Sequence, residues 1–333
     1  MPKITVITPS YNHCRFLPAR ISSILDQTNQ DFEWIVIDDG SSDGSQKVWN
    51  HFCGADPRVR LLFHDSNKGL SATTDEAIAI SGGEYVVRAE SDDFCRNDFL
   101  QRLSEVLDSN PNVGMVHALT RNLDPAGRAW FGAGAHHFPT VVPGETAFTT
   151  IVLGNPVSGP STMVRRDLLE TIGGFGSPLC MVACDWRLAL LASKRTDIGF
   201  VDEPVGYHRL HAGNLSRDAA AILWESYAIV AEAFEHIPLA WSLPSDLQAR
   251  ATRAVTRGPG TALFMKAVAG RSTDTALSIR RRIEEVDPGG TMGYHWWSGC
   301  VRKGLLGGIA LPAHDVAARH LRAETVVGAA AAR

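Results

Sequence analysis

The sequence has 333 residues, of which 44% are hydrophobic and 20% are charged, and its formal net charge is −4. This is the composition of a soluble globular protein, long enough for one large domain or for one domain with an appendage. The chain is not basic enough for a protein that binds nucleic acid. Its six cysteines form no Cys-x-x-Cys pair and have no zinc-like spacing with histidine, which favours a reduced cytoplasmic protein.

Neither a secretory leader nor a membrane-spanning helix is predicted. Residues 1–10 have the pattern of a strand and not that of a charged segment followed by an apolar one. No apolar run reaches the length of about 18 residues that a membrane helix requires. We therefore expect a cytoplasmic protein.

Predicted strands and helices alternate along the first part of the chain. Apolar and β-branched runs predict strands at residues 3–8, 32–37, 59–63, 83–89 and 113–119. Segments with helical periodicity lie between them, for example residues 16–27 and 97–108. This alternation is typical of the α/β class with a Rossmann-like, doubly wound and mostly parallel sheet.

Three polar loops leave the predicted sheet at one edge, the edge at which open α/β sheets bind their ligands. The loops follow the first, second and fourth strands and begin at Pro9, Asp38 and Glu90. In the last of these loops, Glu90 and Asp92 flank one small residue, so both carboxylates can reach one hard cation, which normally also holds substrate phosphates. A solvated acidic turn is the alternative interpretation of this cluster.

The second half of the chain is less regular. Residues 122–138 contain glycine, proline and aromatic residues without a clear period and predict a hairpin or a mobile loop. From Arg217 onward the chain is predicted to be mostly helical. Between these two stretches the pattern predicts helices at 146–153, 166–171 and 185–193, and strands at 161–164, 198–201 and 205–210.

Taken in order, the motifs of the chain resemble those of family 2 glycosyltransferases with the GT-A fold. The resemblance covers residues 3–216, and several motifs with compatible spacing are a more specific signal than any one of them. The motifs are Pro9-Ser10-Tyr11-Asn12, Asp38-Asp39-Gly40-Ser41-Ser42-Asp43, Asn67-Lys68-Gly69, Gly83-Glu84-Tyr85 with Ser91-Asp92-Asp93, Cys184-Asp185-Trp186-Arg187-Leu188, and Tyr207-His208-Arg209-Leu210-His211.

The resemblance implies an inverting transferase that uses a nucleotide-diphosphate sugar as donor. It implies that Tyr11 packs on the base, that Asp39 accepts a hydrogen bond from the base N–H, and that Asp38 supports their loop. An aspartate that accepts from a pyrimidine N–H suits uracil, so a UDP-sugar is expected. The donor-binding residues implied in this way are Pro9, Tyr11, Asp38, Asp39, Asn67, Gly69, Arg88, Glu90, Ser91 and Arg209. For Tyr11 a place in the core, and for Arg88 and Arg209 an ion pair with an acidic residue, are the alternatives.

The resemblance also implies a divalent cation, Mn²⁺ or Mg²⁺, and a catalytic base. Asp92 matches the metal-ligating position, whereas Glu90 stands where the family usually has aspartate and would be a metal ligand or a ribose contact. His211 would complete the metal shell or hold the diphosphate, with a structural role as the alternative. Asp185 would take the proton from the acceptor hydroxyl, although an acidic residue there can also cap the following helix.

The expected organisation is a GT-A domain at residues 1–217, with a nucleotide-sugar half at about 1–120 and an acceptor half at about 121–217. A mostly helical region would follow at residues 218–333. In it, Trp296 and Trp297 near Arg302 and Lys303 are consistent with a peripheral contact to the inner face of the cell membrane. A helical cap or a contact in a homo-oligomer is the favoured alternative.

The expected acceptor is a glycan or a lipid-linked glycan, and the expected process is surface polysaccharide biosynthesis. Two other functions are compatible with a nucleotide site. A sugar nucleotidyltransferase would place a glycine-rich basic loop after the first strand, where this chain has Pro-Ser-Tyr-Asn-His. A non-catalytic nucleotide-sugar-binding module is the other alternative, and Glu90 in place of aspartate is its only indication.

Overall fold

The computed structural model describes residues 2–131, 140–176 and 181–255. The predicted membrane or oligomer contact at Trp296 and Trp297 therefore lies outside the described residues. Within the described residues, no helix has the length and the apolar character that crossing a membrane would require.

A single mixed sheet forms the centre of the fold, with the strand order β3-β2-β1-β4-β9-β6-β10-β5, while β7 pairs with β6 and β8 pairs with β10. The strands are β1 (Ile4–Ser10), β2 (Phe32–Asp38), β3 (Val59–Phe63), β4 (Tyr85–Arg88), β5 (Phe94–Cys95), β6 (Val113–Leu123), β7 (Ala129–Phe131), β8 (Val141–Val142), β9 (Thr162–Arg165) and β10 (Asp197–Arg209).

Helices connect these strands as the sequence predicts for the α/β class. They are α1 (Leu17–Leu25), α2 (Ser45–Cys53), α3 (Leu70–Ala79), α4 (Phe99–Ser109), α5 (Gly144–Ile151), α6 (Arg166–Thr171), α7 (Cys184–Ser193), α8 (Ala219–Ala233) and α9 (Leu247–Val255). The compact unit that contains the sheet runs from Met1 to Pro259, so α8 and α9 belong to it. The division predicted after residue 217 stays a prediction.

The predicted parallel half of the sheet is confirmed. Strands β3, β2, β1 and β4 are parallel neighbours, and every residue of β1 is buried, as its continuous apolar run requires. Strand β9 then lies antiparallel between β4 and β6, and β6 pairs in parallel with β10. The sheet is therefore mixed but mostly parallel.

Two tryptophans pack beneath the carboxyl ends of β1 and β2. The rings of Trp34 on β2 and Trp49 on α2 meet edge to face at 5.6 Å, and both are fully buried. Each indole N–H donates to a hydroxyl of β1, from Trp34 to Thr8 at 2.9 Å and from Trp49 to Ser10 at 3.2 Å. Because these buried donors are satisfied, the pair holds α2 against the strands whose loops follow at the sheet edge.

In the second half of the chain, one prediction about the strands is wrong and the predicted hairpin is confirmed. The two strands predicted at 198–201 and 205–210 are one strand, β10, which continues through register shifts on either side of Pro204. The polar residues before Pro204 interrupt the apolar run, which is why the sequence predicts two strands there. A hairpin of β6 and β7 confirms one of the two alternatives for residues 122–138, of which 132–138 lie outside the described residues.

Candidate active site

A cleft of about 480 Å³ opens at the edge of the sheet where β1, β2 and β4 end. The loops after these strands line it together with residues 158–160 and the start of α7. Three residues predicted for the site, Asp38, Arg209 and His211, do not line the cleft. The predicted residues that do line it are Pro9, Tyr11, Asp39, Asn67, Gly69, Arg88, Glu90, Ser91, Asp92 and Asp185.

Asp39, directly after β2, holds the loop at residues 67–69 through its carboxylate. Its Oδ1 accepts a hydrogen bond from the N–H of Lys68 at 2.9 Å and lies 2.7 Å from Nδ1 of His64, while its Oδ2 accepts from the N–H of Gly69 at 2.9 Å. Burial acts to raise the pKa of Asp39, but these hydrogen bonds outweigh it and hold the pKa below its ordinary value. A carboxylate offers about four lone-pair sites, so Asp39 can still accept from a molecule in the cleft.

Tyr11 and Asp38 differ in their exposure. The side chain of Tyr11 is 46% exposed and lines the cleft, so it lies outside the core. Asp38 is buried, and its Oδ1 accepts hydrogen bonds from the N–H of Ser41 at 2.9 Å and from Nε2 of Gln46 at 3.1 Å. Asp38 therefore holds the loop that follows β2. The base contact expected of Tyr11 stays a prediction.

Asp92 is the centre of a cluster of one carboxylate and two imidazoles. Nε2 of His211 lies 2.9 Å from Oδ2 of Asp92, and Nε2 of His13 lies 3.9 Å from the same oxygen. One ligand atom from each of the three residues lies within 4.8 Å of the others. Ligands that bind one cation at about 2.1 Å lie at most about 4.2 Å apart. Small movements therefore suffice to place these three atoms on one divalent cation, and the residues fit such an ion.

A hydrogen bond at Nδ1 orients each histidine of the cluster. Nδ1 of His13 lies 2.7 Å from the hydroxyl oxygen of the buried Ser91. Burial lowers the pKa of His13, against the opposing charge of Asp92, and so favours the neutral form of its ring. Nδ1 of His211 accepts from the N–H of Gly213 at 3.1 Å, so a neutral His211 carries its proton on Nε2 and donates it to Asp92. A cation at Nε2 would require that proton to move to Nδ1 and the Gly213 N–H to turn away.

Glu90 belongs to a different group of side chains. Its Oε1 lies 2.8 Å from Nε of Arg88, whose side chain is 11% exposed. Its Oε2 is buried and has no hydrogen-bond partner among the described residues. A Cβ atom on Gly159 would lie 3.4 Å from Oε1 of Glu90 and 3.9 Å from Oδ2 of Asp185, so both carboxylates border one small space. The metal-ligand role of Glu90 stays a prediction, and the structure brings its carboxylate to Arg88 instead.

Asp185 lies in the first turn of α7 and lines the cleft. Its Oδ1 accepts hydrogen bonds from the N–H of Trp186 at 2.8 Å and from Nδ2 of Asn155 at 3.2 Å, and its Oδ2 accepts from the N–H of Gly159 at 3.1 Å. Burial raises the pKa of Asp185 to about 6, although the hydrogen bonds from Trp186 and Gly159 and the charge of Arg88 oppose the increase. A general base works best with a pKa near the operating pH, and this carboxylate approaches that condition.

A carboxylate on α8 holds the segment that leads into α7. Oε2 of Glu225 accepts hydrogen bonds from the N–H groups of Val182 at 2.8 Å and Ala183 at 2.9 Å, and its Oε1 accepts from Met181 at 2.9 Å. Ala183 is the N-cap of α7 and the other two donors directly precede it, and negative charge is favourable at a helix N-terminus. Glu225 therefore fixes the position from which Asp185 reaches the cleft.

We expect Glu225→Ala to lower kcat more than Glu232→Ala does. Glu232 makes another carboxylate contact between α8 and α7, at 2.6 and 2.7 Å to Arg187, but neither Glu232 nor Arg187 lines the cleft. Each variant removes hydrogen bonds to a charged carboxylate, and such a bond contributes about 1.5–3 kcal/mol to folding stability. Thermal unfolding and steady-state rates of the two variants test this expectation. Equal losses of kcat at equal losses of stability would contradict a positioning role for Glu225.

The end of β10 is fastened to the acidic loop through Asp93. The buried carboxylate of Asp93 accepts from the N–H of Arg209 at 2.8 Å and lies 3.3 Å from Nδ1 of His208. Burial acts to lower the pKa of His208, but the hydrogen bond and the charge of Asp93 outweigh it and raise the pKa to about 9.

The guanidinium of Arg209 lies over the rings of Phe16 and Phe94 at 5.3 and 4.9 Å. The donor contact expected of Arg209 stays a prediction.

Sequence reasoning missed four residues at this site. His13 carries a recognisable signal, because it directly follows the Pro-Ser-Tyr-Asn motif at the carboxyl end of a buried strand. Asn155, Gly159 and Glu225 carry none, because each contacts Asp185 or its helix from a segment distant in sequence.

The mixed sheet and the cleft at its edge define a GT-A glycosyltransferase fold, and solved structures share it. A mannosyltransferase from Pyrobaculum calidifontis in complex with GDP-Man and Mn²⁺ matches with a TM-score of 0.58 and 18% identity, over 92% of this chain and 85% of that one. Residues 1–349 of TarS from S. aureus in complex with UDP-GlcNAc match with a TM-score of 0.58 and 16% identity, over 87% and 92% of the two chains.

The chain belongs to glycosyl transferase family 2, whose family model matches residues 5–173. The uncharacterized glycosyltransferase alr2836 of Nostoc sp. is 27% identical over 230 residues, which are 68% of this chain and 70% of that relative. The hyaluronan synthase of Pasteurella multocida is 28% identical over 127 residues, which are 38% of this chain but only 13% of the synthase.

Proposed function

We propose that this chain transfers a sugar from a UDP-sugar to a hydroxyl group of a glycan or glycoconjugate, with inversion at the anomeric carbon and with a divalent cation bound. One observation carries the proposal: His13 and Asp92 line the same cleft as Asp185, and His211 completes their cluster through Nε2, 2.9 Å from Oδ2 of Asp92. A donor diphosphate at the cluster and an acceptor hydroxyl at Asp185 would meet in one site.

The cation is proposed to bind at His13, Asp92 and His211. Two imidazole nitrogens and one carboxylate favour a transition-metal ion such as Mn²⁺ over Mg²⁺, which prefers oxygen ligands. When bound, such an ion neutralises the negative charge of the departing diphosphate. The mannosyltransferase of P. calidifontis, which shares the fold, was solved with Mn²⁺, and this supports the proposal.

Asp185 is proposed to be the catalytic base. In an inverting transfer the acceptor oxygen attacks the anomeric carbon in line with the departing diphosphate, and one carboxylate takes the hydroxyl proton. Both oxygens of Asp185 are held by donors from Asn155, Gly159 and Trp186, so the carboxylate is oriented before an acceptor binds. Orientation of this kind reduces the entropy cost of reaching the transition state.

The nucleotide is proposed to lie between Tyr11 and the loop at residues 67–69. Tyr11 presents an exposed ring to the cleft, and Asp39 has a lone pair left for a ring N–H. TarS, with the same fold, was solved with UDP-GlcNAc, which supports uracil as the base.

Hyaluronan synthase is a polysaccharide-forming relative, and we propose a surface polysaccharide as acceptor. The cytoplasmic location stays a prediction.

Calorimetric titration of UDP and GDP, first with Mn²⁺ and then with EDTA, tests the donor and the cation. We expect UDP to bind with Mn²⁺ and to lose most of its affinity in EDTA, because the diphosphate would then meet Asp92 without a cation. Preference for GDP would move the donor to GDP-sugars. Metal-independent binding, or no binding of either nucleotide, would contradict the role proposed for the cluster.

A further inference from the structure

The hairpin of β6 and β7 extends the sheet beside the cleft. Its strands pair antiparallel, with Asn122 opposite Trp130 and Arg121 opposite Phe131. The carboxylate of Asp124 closes the turn, because its Oδ1 accepts from the N–H groups of Ala126 and Arg128, both at 2.9 Å. The strand pairs and this turn give the hairpin a defined backbone.

Strand register places Trp130 on the face of the sheet that borders the cleft. His208 of β10 pairs with Asn122 of β6, which in turn pairs with Trp130 of β7. Side chains that are directly opposite on neighbouring strands lie on the same face. His208 lines the cleft, and strands are about 4.8 Å apart. The indole is therefore about two strand spacings from the cleft and on its side.

The neighbouring row of residues occupies the other face. Tyr207 pairs with Phe94 and with Arg121, and Arg121 pairs with Phe131. The rings of Phe94 and Tyr207 stack at 4.6 Å, and the guanidinium of Arg121 lies 5.1 Å from the centre of the Phe131 ring. These contacts agree with the alternation of side chains along the strands. Trp130 and Phe131 thus point away from each other.

The two aromatic side chains are equally exposed but differ in their contacts. Trp130 and Phe131 are each 43% exposed. Arg121 covers Phe131, whereas in the described part of the chain no hydrogen bond or ring contact involves the side chain of Trp130. An exposed indole combines a broad apolar face with an N–H donor, which suits a ligand that has both apolar and hydroxyl groups.

We infer that Trp130 is a stacking platform for a sugar ring of the acceptor glycan. The inference rests on the proposed function and adds a residue and a ligand class to it. The apolar C–H face of a pyranose would lie on the indole of Trp130. The following sugars would run past Asn122 and His208 into the cleft that Asp185 lines. A sugar chain suits this path because Asn122 and His208 offer hydrogen-bonding groups beside an aromatic face.

The test compares Trp130→Ala and Trp130→Phe with the matched control Phe131→Ala. Calorimetry with UDP and Mn²⁺ present measures binding of hyaluronan, chondroitin, β-1,3-glucan and β-1,4-linked N-acetylglucosamine oligosaccharides. We expect the unmodified chain to bind at least one of them, Trp130→Ala to bind it about 10-fold more weakly, and Trp130→Phe to retain most of the affinity. Phe131→Ala should bind it like the unmodified chain.

Two controls separate this inference from the proposed function. UDP titration with Mn²⁺ should give the same affinity in all three variants and in the unmodified chain. If the unmodified chain does not bind UDP, the proposed function itself is contradicted. With UDP binding intact, equal oligosaccharide affinities of Trp130→Ala and the unmodified chain, or no binding of any of these oligosaccharides, would overturn the inference. A dimer that Trp130→Ala dissociates in sedimentation would assign the indole to a second copy and would overturn it too.

Discussion

Replacement of Asp185 by asparagine is expected to lower kcat by about 10³-fold, the middle of the range for loss of a general base. Asparagine keeps the size of the side chain and can still accept from Gly159 or Trp186, but it cannot take a proton from a hydroxyl group. The affinity for UDP with Mn²⁺ should stay the same, because the nucleotide is proposed to bind elsewhere in the cleft. Single-turnover rates and UDP titration measure the two quantities.

The pH dependence of kcat supplies the control for this prediction. Burial raises the pKa of Asp185 to about 6, so the carboxylate is increasingly protonated below that pH and can no longer accept the acceptor's proton. At saturating donor, acceptor and Mn²⁺, we expect kcat to fall about tenfold per pH unit on the acid side of pH 6. An acid limb of the kcat profile with an apparent pKa near the ordinary aspartate value would contradict the assignment. A loss of kcat in Glu105→Gln, which removes an exposed carboxylate, would contradict it too.

Replacement of Asp92 by asparagine is expected to lower the affinity for UDP in Mn²⁺ by more than about 100-fold, since loss of a mere partner of a metal ligand already costs about 10–100-fold in metal affinity. Among the described residues, Asp92 is the only carboxylate in the cluster with His13 and His211. Without its charge, the two imidazoles would have to hold the cation by themselves. Calorimetric titration of UDP at fixed Mn²⁺ measures the loss.

Histidine variants show whether the whole cluster takes part. His13→Ala and His211→Ala should each weaken Mn²⁺-dependent UDP binding by about 10-fold or more. His51→Ala removes an exposed histidine of α2 outside the cleft and should have no effect. If His13→Ala binds UDP with Mn²⁺ as His51→Ala does, His13 is not a ligand.

Local sequence predicted that Tyr11, Asp39 and Asp92 lie at one edge of the sheet because they closely follow buried strands. Tyr11, Asp39 and Asp92 lie only a few residues beyond β1, β2 and β4. Once those strands are parallel neighbours, their loops must meet at one edge of the sheet. His13 lies at the same edge for the same reason, because it directly follows the Pro-Ser-Tyr-Asn motif after β1.

Pairing across long stretches of chain could not be predicted in the same way. Strand β9 separates β4 from β6 and runs antiparallel to both, although nothing in its short apolar run specifies a direction. Strand β10 passes Pro204 without ending because β6 pairs with it on both sides of the interruption. In each case the partner strand decides the outcome, and the partner is distant in sequence.

The surroundings of Asp185 likewise depend on contacts between distant segments. Its raised pKa reflects burial among side chains contributed by different parts of the fold, and its orientation depends on Asn155 and Gly159. Glu225 reaches the start of the same helix from α8, more than 40 residues further along the chain. None of these contacts has a local signature in the sequence.

By itself, the sequence determined the α/β class, the family, and the sheet edge at which the polar loops gather, because periodicity and short motifs act over a few residues. Only the tertiary structure decided which groups meet there: the two histidines beside Asp92, the pairing of Glu90 with Arg88, and the row that brings Trp130 to the cleft face. The physical reason is that hydrogen bonds, burial and strand register join residues far apart in the chain, and these depend on the whole fold.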